Sequence, residues 1–207
     1  MDAFIRENAI EWYASWYVGS GPDIGFRGVL PGASGAEVQR SLSKIRRAEA
    51  GSRIVVDYGR LARIAEALRR RRKKIVFTNG VFDLLHVGHL GLLERARALG
   101  DALIVAINSD DSARGIKGEG RPIIPQFARA RLLANLRQVD ACFIFPEPDP
   151  MKALEAVRPD ILVKGSEYDV RRIVGARLVS SYGGKVVRFP MVKGWSTSST
   201  IRGIRTR

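Results

Sequence analysis

The segment Thr78-Asn79-Gly80-Val81-Phe82-Asp83-Leu84-Leu85-His86-Val87-Gly88-His89 holds both histidines of the 207-residue chain. It follows the β-rich run Ile75-Val76-Phe77-Thr78 and leads into a helical pattern through about Leu99. A strand-to-helix turn readily takes a phosphate, because the first amides of a helix have no partner within it and lie at the positive end of its dipole. In a helical first turn the spacing of His86 and His89 presents both imidazoles toward one point. There they can donate hydrogen bonds to phosphate oxygens as negative charge develops. Gly80 permits a tight turn, and Gly88 lets a ligand or backbone come close. A metal fits less well, since no third ligand of suitable spacing accompanies the pair and two histidines with one cysteine do not close a zinc site.

Such residues need a frame that brings a strand end and a helix start together. From Lys74 onward short apolar runs alternate with helical patterns. The runs are 75–78, Leu103 to Asn108, Cys142 to Phe145, Ile161 to Val163 and Val186 to Phe189, with a helix over Gln126 to Gln138 among the intervening segments. Runs that are apolar throughout and separated by helices predict a doubly wound α/β fold, its parallel sheet covered on both faces. Ligands bind such sheets beyond the carboxyl ends of the strands, where the histidine segment falls.

Upstream, Asp57 can cap a helix in which Leu61, Ile64, Ala65 and Leu68 recur at helical spacing. Residues 2–18 read as a helix whose Trp12/Trp16 and Tyr13/Tyr17 pairs form an aromatic face that must be buried against protein. Six glycines and two prolines within 19–35 mark a linker, and a second helical stretch covers 37–49. The chain therefore divides into a helical extension with a Gly/Pro-rich linker, 1–52, and the α/β domain, 53–207. The extension is expected to reach a neighbouring subunit and support a homo-oligomer.

With 45% hydrophobic and 27% charged residues the composition is that of a folded domain with a modest appendage. No apolar run approaches the roughly 18–20 residues that span a bilayer, and the N-terminus lacks a cationic stretch followed by an apolar block. A cytoplasmic protein without a membrane partner is the expectation. Cys142 lies in Ala-Cys-Phe-Ile-Phe and reads as a buried structural thiol. The formal net charge is +14, and its densest cluster, Arg69 to Lys74, closes a helical pattern. Cations in a last turn complement the helix dipole, and charge alone leaves a polyanion contact open beside that reading.

His86-Val87-Gly88-His89 resembles the HxGH signature of the cytidylyltransferase-like nucleotidylyltransferases, a Rossmann-like family whose wider superfamily includes class I aminoacyl-tRNA synthetases. The chain is short for a synthetase, and neither GxxxxGK[ST] nor GxGxxG after a strand is present. Four more stretches follow in order: Asn108-Ser109-Asp110-Asp111, Lys117-Gly118-Glu119-Gly120-Arg121-Pro122, Val163-Lys164-Gly165-Ser166-Glu167-Tyr168 and Ser196-Thr197-Ser198. Together they are similar to the adenylyltransferase half of the bifunctional ADP-heptose synthases, or its free-standing equivalent, over about residues 55–205. The resemblance implies transfer of AMP from ATP to D-glycero-β-D-manno-heptose 1-phosphate, giving ADP-heptose and pyrophosphate. Mg²⁺ would enter with the ATP, with no metal ligands assigned in the protein. A separate heptose kinase would supply the acceptor, and no specific nucleic acid is expected.

The same resemblance implies roles. Thr78, Asn79, Gly80 and Phe82 match the strand-end loop that contacts nucleotide, and Asp83 matches its acidic residue, an acceptor toward nucleotide or loop. His86, His89 and Lys117 take the catalytic places, Lys117 in a glycine-flanked mobile loop that closes over phosphates. Arg121 is expected on the substrate and Arg129 on the nucleotide, while Lys164 and Gly165 pass the nucleobase. Ser196 and Thr197 would hold a phosphate or the leaving pyrophosphate at a helix N-terminus. Relatives usually carry Cys-Ser-Thr-Thr where this chain has Trp195-Ser196-Thr197-Ser198, which bears on the acceptor. Two related transfers stay open, CTP with a polyol phosphate such as glycerol 3-phosphate and ATP with FMN. From another class, so does a basic RNA-binding module without catalysis.

Overall fold

The computed structural model describes residues 53–165, 173–190, 192 and 194–205. The expectations for residues 1–52, including the aromatic helix and its oligomeric role, lie outside the described residues, as do Ser166, Glu167 and Tyr168. In chain order the elements are β1 (Ile54–Val55), α1 (Tyr58–Arg70), β2 (Ile75–Gly80), α2 (Val87–Arg97), β3 (Ala102–Asn108), α3 (Asp110–Lys117) and α4 (Gln126–Ala134). They continue with β4 (Ala141–Phe145), α5 (Met151–Val157), β5 (Ile161–Gly165), α6 (Ala176–Ser181), β6 (Lys185–Phe189) and α7 (Thr197–Arg205).

The strands form one parallel sheet in the order β1-β4-β3-β2-β5-β6. After β2 the chain builds outward through β3 and β4, then returns to the other flank of β2 for β5 and β6. Strand order thus reverses beside β2, the doubly wound arrangement expected from the alternating apolar runs. The period-two direction of strand side chains divides the core in two. Ile75, Phe77, Ile104, Phe143 and Leu162 point to the face covered by α1, α5 and α6. Val76, Leu103, Val105, Cys142 and Val163 point to the face covered by α2 and α4. Cys142 is fully buried, and burial pushes its thiol up to about 12, so it is unreactive packing.

At the amino edge of the sheet, aspartates finish the ladder. Asp160 accepts from the Ile75 amide at 2.7 Å, Asp140 from the Leu103 amide at 2.8 Å and Asp101 from the Lys74 amide at 2.8 Å. Asp57 caps α1 as expected, accepting from the Arg60 amide at 2.7 Å. The Arg69–Lys74 run closes α1 and feeds into the amino end of β2, whose residues then carry the chain about 17 Å to its carboxyl end.

Three elements depart from expectation. Lys117 is the last residue of α3 and not part of a loop. The helix forms because the Ser109 hydroxyl accepts from the Ser112 amide at 3.2 Å, Asp110 and Asp111 sit in its positive first turn, and Gly118 at φ 87° ends it. α4 stops at Ala134, four residues short, where the Asn135 side chain donates to the Arg131 carbonyl at 2.8 Å. β1 is an unexpected edge strand that pairs with Cys142 and Phe143.

Candidate active site

The reversal of strand order leaves a crevice above the carboxyl ends of β2 and β5, and a cleft of about 230 Å³ opens there. β2 delivers Thr78, Asn79 and Gly80 to its floor, and the turn after it delivers Phe82 and Asp83. His86 is the N-cap of α2 and His89 its third residue, so both rings stand at the start of that helix. They stack with centroids 3.8 Å apart and planes 18° from parallel, and Phe82 leans on His89 at 5.0 Å. Phe82 has φ 49°, an uncommon backbone for a bulky residue, held by burial of its ring. Gly88 makes the stack possible: a Cβ there would lie 2.9 Å from Nδ1 of His86. The close approach it allows is thus made by a neighbouring ring, with the Trp195 carbonyl next at 3.6 Å.

Burial lowers the His86 pKa. Burial and then the adjacent His86 ring bring His89 down to about 4, against an opposing hydrogen bond with the Leu84 backbone. Both rings are therefore neutral at pH 7. Nδ1 of each, with Thr78 Oγ1 and Asn79 Oδ1, is buried without a hydrogen-bond partner. Buried polar atoms are almost always paired in folded proteins, so four unpaired ones on residues that line one cleft mark it as a place for a polar ligand.

The cleft also gathers cations. Lys117 is exposed at its rim, and Lys164, next to Gly165 on β5, reaches across to donate to the Asn79 carbonyl at 3.2 Å. Arg121 Nε donates to Asp83 Oδ2 at 2.6 Å. Asp83 Oδ1 accepts from the Ile123 and Ile124 amides at 2.8 and 2.9 Å. Burial pushes the Asp83 carboxyl up, but these amides and Arg121 outweigh it and hold the group below the usual carboxylate range. Asp83 therefore fastens the 121–124 segment. Ser196 and Thr197 stand where α7 begins, and the Thr197 hydroxyl donates to the Leu84 carbonyl at 3.3 Å.

Thirteen of the fourteen residues expected at the site thus line one cleft: Thr78, Asn79, Gly80, Phe82, Asp83, His86, His89, Lys117, Arg121, Lys164, Gly165, Ser196 and Thr197. Arg129 does not. It is fully buried with its guanidinium turned onto protein oxygens, which corrects the expectation that it contacts nucleotide. Val81, Leu92, Trp195 and Ser198 complete the lining. Leu92 sits in an apolar helical pattern that reads as core, whereas Trp195 was already marked by its departure from the relatives' motif.

This geometry, a strand-end histidine pair at a helix start inside a cationic crevice, agrees with the sequence comparisons. The cytidylyltransferase-like family model matches residues 77–202. The chain belongs to that family. It is a nucleotidyltransferase, with the matched span running from β2 into α7 and so enclosing the whole cleft. This cytidylyltransferase-like chain is 52% identical over 147 residues to the bifunctional protein HldE of Koribacter versatilis, covering 71% of this chain and 30% of that protein. It is 44% identical over 182 residues to HldE of Acidiphilium cryptum, covering 86% and 37%. It thus spans about a third of the length of these curated relatives. A solved structure, the lipopolysaccharide core biosynthesis protein of Thermoplasma volcanium, is 32% identical with a TM-score of 0.51, covering 58% of this chain and 99% of that one. Among the described residues no helix is long and apolar enough to cross a membrane.

Proposed function

We propose that the cleft transfers AMP from ATP to D-glycero-β-D-manno-heptose 1-phosphate, releasing pyrophosphate and forming ADP-heptose. The observation that carries this reading is the stacked, neutral His86–His89 pair at the start of α2, its buried nitrogens unpartnered, inside a cleft ringed by Lys117, Arg121 and Lys164. The similarity to HldE over the span that encloses the cleft supports the sugar.

In this reading a phosphate oxygen of the sugar phosphate attacks the α-phosphorus of ATP. The new P–O bond forms in line with the bond to the β-phosphate, which breaks, and pyrophosphate leaves with that electron pair. No covalent intermediate on the protein is needed; positioning and charge neutralisation suffice. The triphosphate lies against the α2 amides, and its negative charge offsets the desolvation of the imidazoles, drawing them toward their protonated, donating form. Lys117 meets phosphate oxygens, Lys164 with Gly165 passes the nucleobase, and the α7 N-terminus with Ser196 and Thr197 takes the departing pyrophosphate. Arg121, steered by Asp83, faces the acceptor phosphate.

Mg²⁺ belongs to the substrate. Among the described residues no group of three or more His, Cys, Asp or Glu could hold a metal. Both oxygens of Asp83, the carboxylate lining the cleft, already accept from protein donors. In this reading the ion arrives on the triphosphate. A sugar kinase must make the acceptor.

Pyrophosphate release, measured with ATP or CTP against heptose 1-phosphate, glycerol 3-phosphate and FMN, tests the reading. The highest kcat/KM is expected for ATP with heptose 1-phosphate. A higher value for CTP with glycerol 3-phosphate, or for ATP with FMN, would replace the acceptor assignment and leave the transferase chemistry standing.

A further inference from the structure

We infer that Arg129 is a positioning residue: from behind the cleft it ties the histidine turn, the Arg121 segment and the Lys117 helix into one unit. The inference rests on nucleotidyl transfer in the cleft with Lys117 acting on phosphate. Arg129 is fully buried on α4. Its Nε donates to the Ile124 carbonyl at 2.8 Å, Nη1 to the Val81 carbonyl at 2.6 Å and Nη2 to Asp110 Oδ1 at 2.7 Å.

Each acceptor belongs to a different segment that also carries a cleft-lining residue. Val81 immediately precedes Phe82, whose ring supports His89. Ile124 has its amide held by Asp83 while Arg129 takes its carbonyl, so one peptide unit is gripped on both sides. Asp110 opens α3, the helix that ends in Lys117, and its own amide is held by Gln126 of α4 at 2.8 Å. A buried guanidinium is costly unless its donors are all answered, and an apolar side chain would fill the same volume without that cost. What an apolar residue cannot do is reach three oxygens in divergent directions from a rigid planar fork, and a lysine ammonium cannot either. Of the three acceptors Val81 lines the cleft itself, while Ile124 and Asp110 lie behind it in the segments that carry Arg121 and Lys117. The arrangement is that of a brace for the reacting geometry, where displacement of about 1 Å can cost roughly a hundredfold in rate.

The test is a double-mutant cycle on the full chain, read as kcat/KM for pyrophosphate release. Arg129→Lys should lower it about a hundredfold. Should that variant fail to fold, Asp110→Ala carries the test alone, since its side chain is partly exposed and its loss cuts the tie from Arg129 to α3. Asp110→Ala is expected to lower kcat/KM roughly tenfold beside Lys117, and less than about twofold once Lys117 is alanine. An equal loss in both backgrounds would overturn the inference, because a general loss of stability acts the same with or without Lys117. Binding of MgATP by calorimetry, with no acceptor present, separates the two failures. Wild-type protein that does not bind ATP removes the nucleotide reading and this inference with it, whereas normal binding with no coupling removes the inference alone.

Discussion

The two ends of the sheet treat their polar groups in opposite ways. At the amino end Asp101, Asp140 and Asp160 each answer a backbone amide at the start of a neighbouring strand, and the cations of the Arg69–Lys74 run find carboxylates such as Glu66 and Asp101. At the carboxyl end Thr78 Oγ1, Asn79 Oδ1 and two imidazole nitrogens are buried and left unanswered, beside a phenylalanine with positive φ. Both ends arise from the same strands, so packing alone does not explain the contrast. Among the described residues the amino end leaves one buried polar atom unpaired, the Tyr182 hydroxyl before β6, against four on the residues lining the cleft, where something that binds would answer them.

Mutations should separate the two ends cleanly. The largest effect is expected from His86→Ala or His89→Ala, each lowering kcat about 10²- to 10³-fold with the fold retained by circular dichroism and thermal melting. Near-native kcat in either variant would erase the contrast, because the unanswered nitrogens would then serve nothing.

Acid should expose the same strain in stability. The His89 pKa is depressed from 6.5 to about 4 in the folded protein, so the unfolded chain binds more protons between those values. Stability from this group is complete above about pH 6.5 and is lost as pH falls toward 4, by about 3 kcal/mol. Urea unfolding at pH 7.5 and pH 4.5 should show this slope in wild type and a shallower one in His89→Gln; parallel slopes would contradict it.

Lys117→Ala should cost about 10- to 100-fold in kcat/KM for ATP, the scale of one charge-assisted hydrogen bond, without moving the midpoint of unfolding. At the amino end the sign of the result reverses. Asp160→Ala leaves the buried Ile75 amide unanswered and should cost about 1–3 kcal/mol of stability while kcat/KM stays unchanged. A selective loss of turnover there would mean the ends are coupled. Smallest of all, replacing Arg70, Arg71 and Arg72 with Gln should scarcely alter kcat/KM. In fluorescence anisotropy any RNA binding by the wild type should fade steeply between about 50 and 200 mM salt. Sequence-selective binding that survives the higher salt would favour the basic-module alternative.

The carboxyl-end half of this contrast was legible in the sequence, whereas the aspartates that answer strand amides at the amino end were not. Strands buried on both faces are written as largely apolar runs, so β2 to β5 and their parallel pairing followed from 75–78, 103–108, 142–145 and 161–163, whereas 186–189 carries Arg188 because β6 is a partly exposed edge strand. β1 was not legible, since two residues at a sheet edge carry no period. α3 was missed because Ser112 and Ala113 are the residues it buries, and its caps hold it in place of an apolar stripe. The cleft residues were named from the resemblance to the HxGH nucleotidylyltransferases, and the structure gathers them where the parallel sheet reverses. Arg129 was misplaced for a plain reason. An arginine on a helix looks the same in sequence whether it faces a phosphate or main-chain carbonyls, and Val81, one of its acceptors, lies 48 residues away in the chain.

The stacking of His86 on His89 also limits what the pair can store. Two cations with centroids 3.8 Å apart would repel by about 4 kcal/mol at an effective dielectric of 20, so the rings share at most one proton near neutrality. An arriving triphosphate can therefore recruit one hydrogen ion from solvent but not two, and the departing pyrophosphate obliges the protein to return it. In the proposed transfer each turnover would take up and return at most one proton. Calorimetry of ATP binding in buffers of different ionisation enthalpy would read that exchange directly, as an uptake that rises as pH falls toward neutrality and levels off at one.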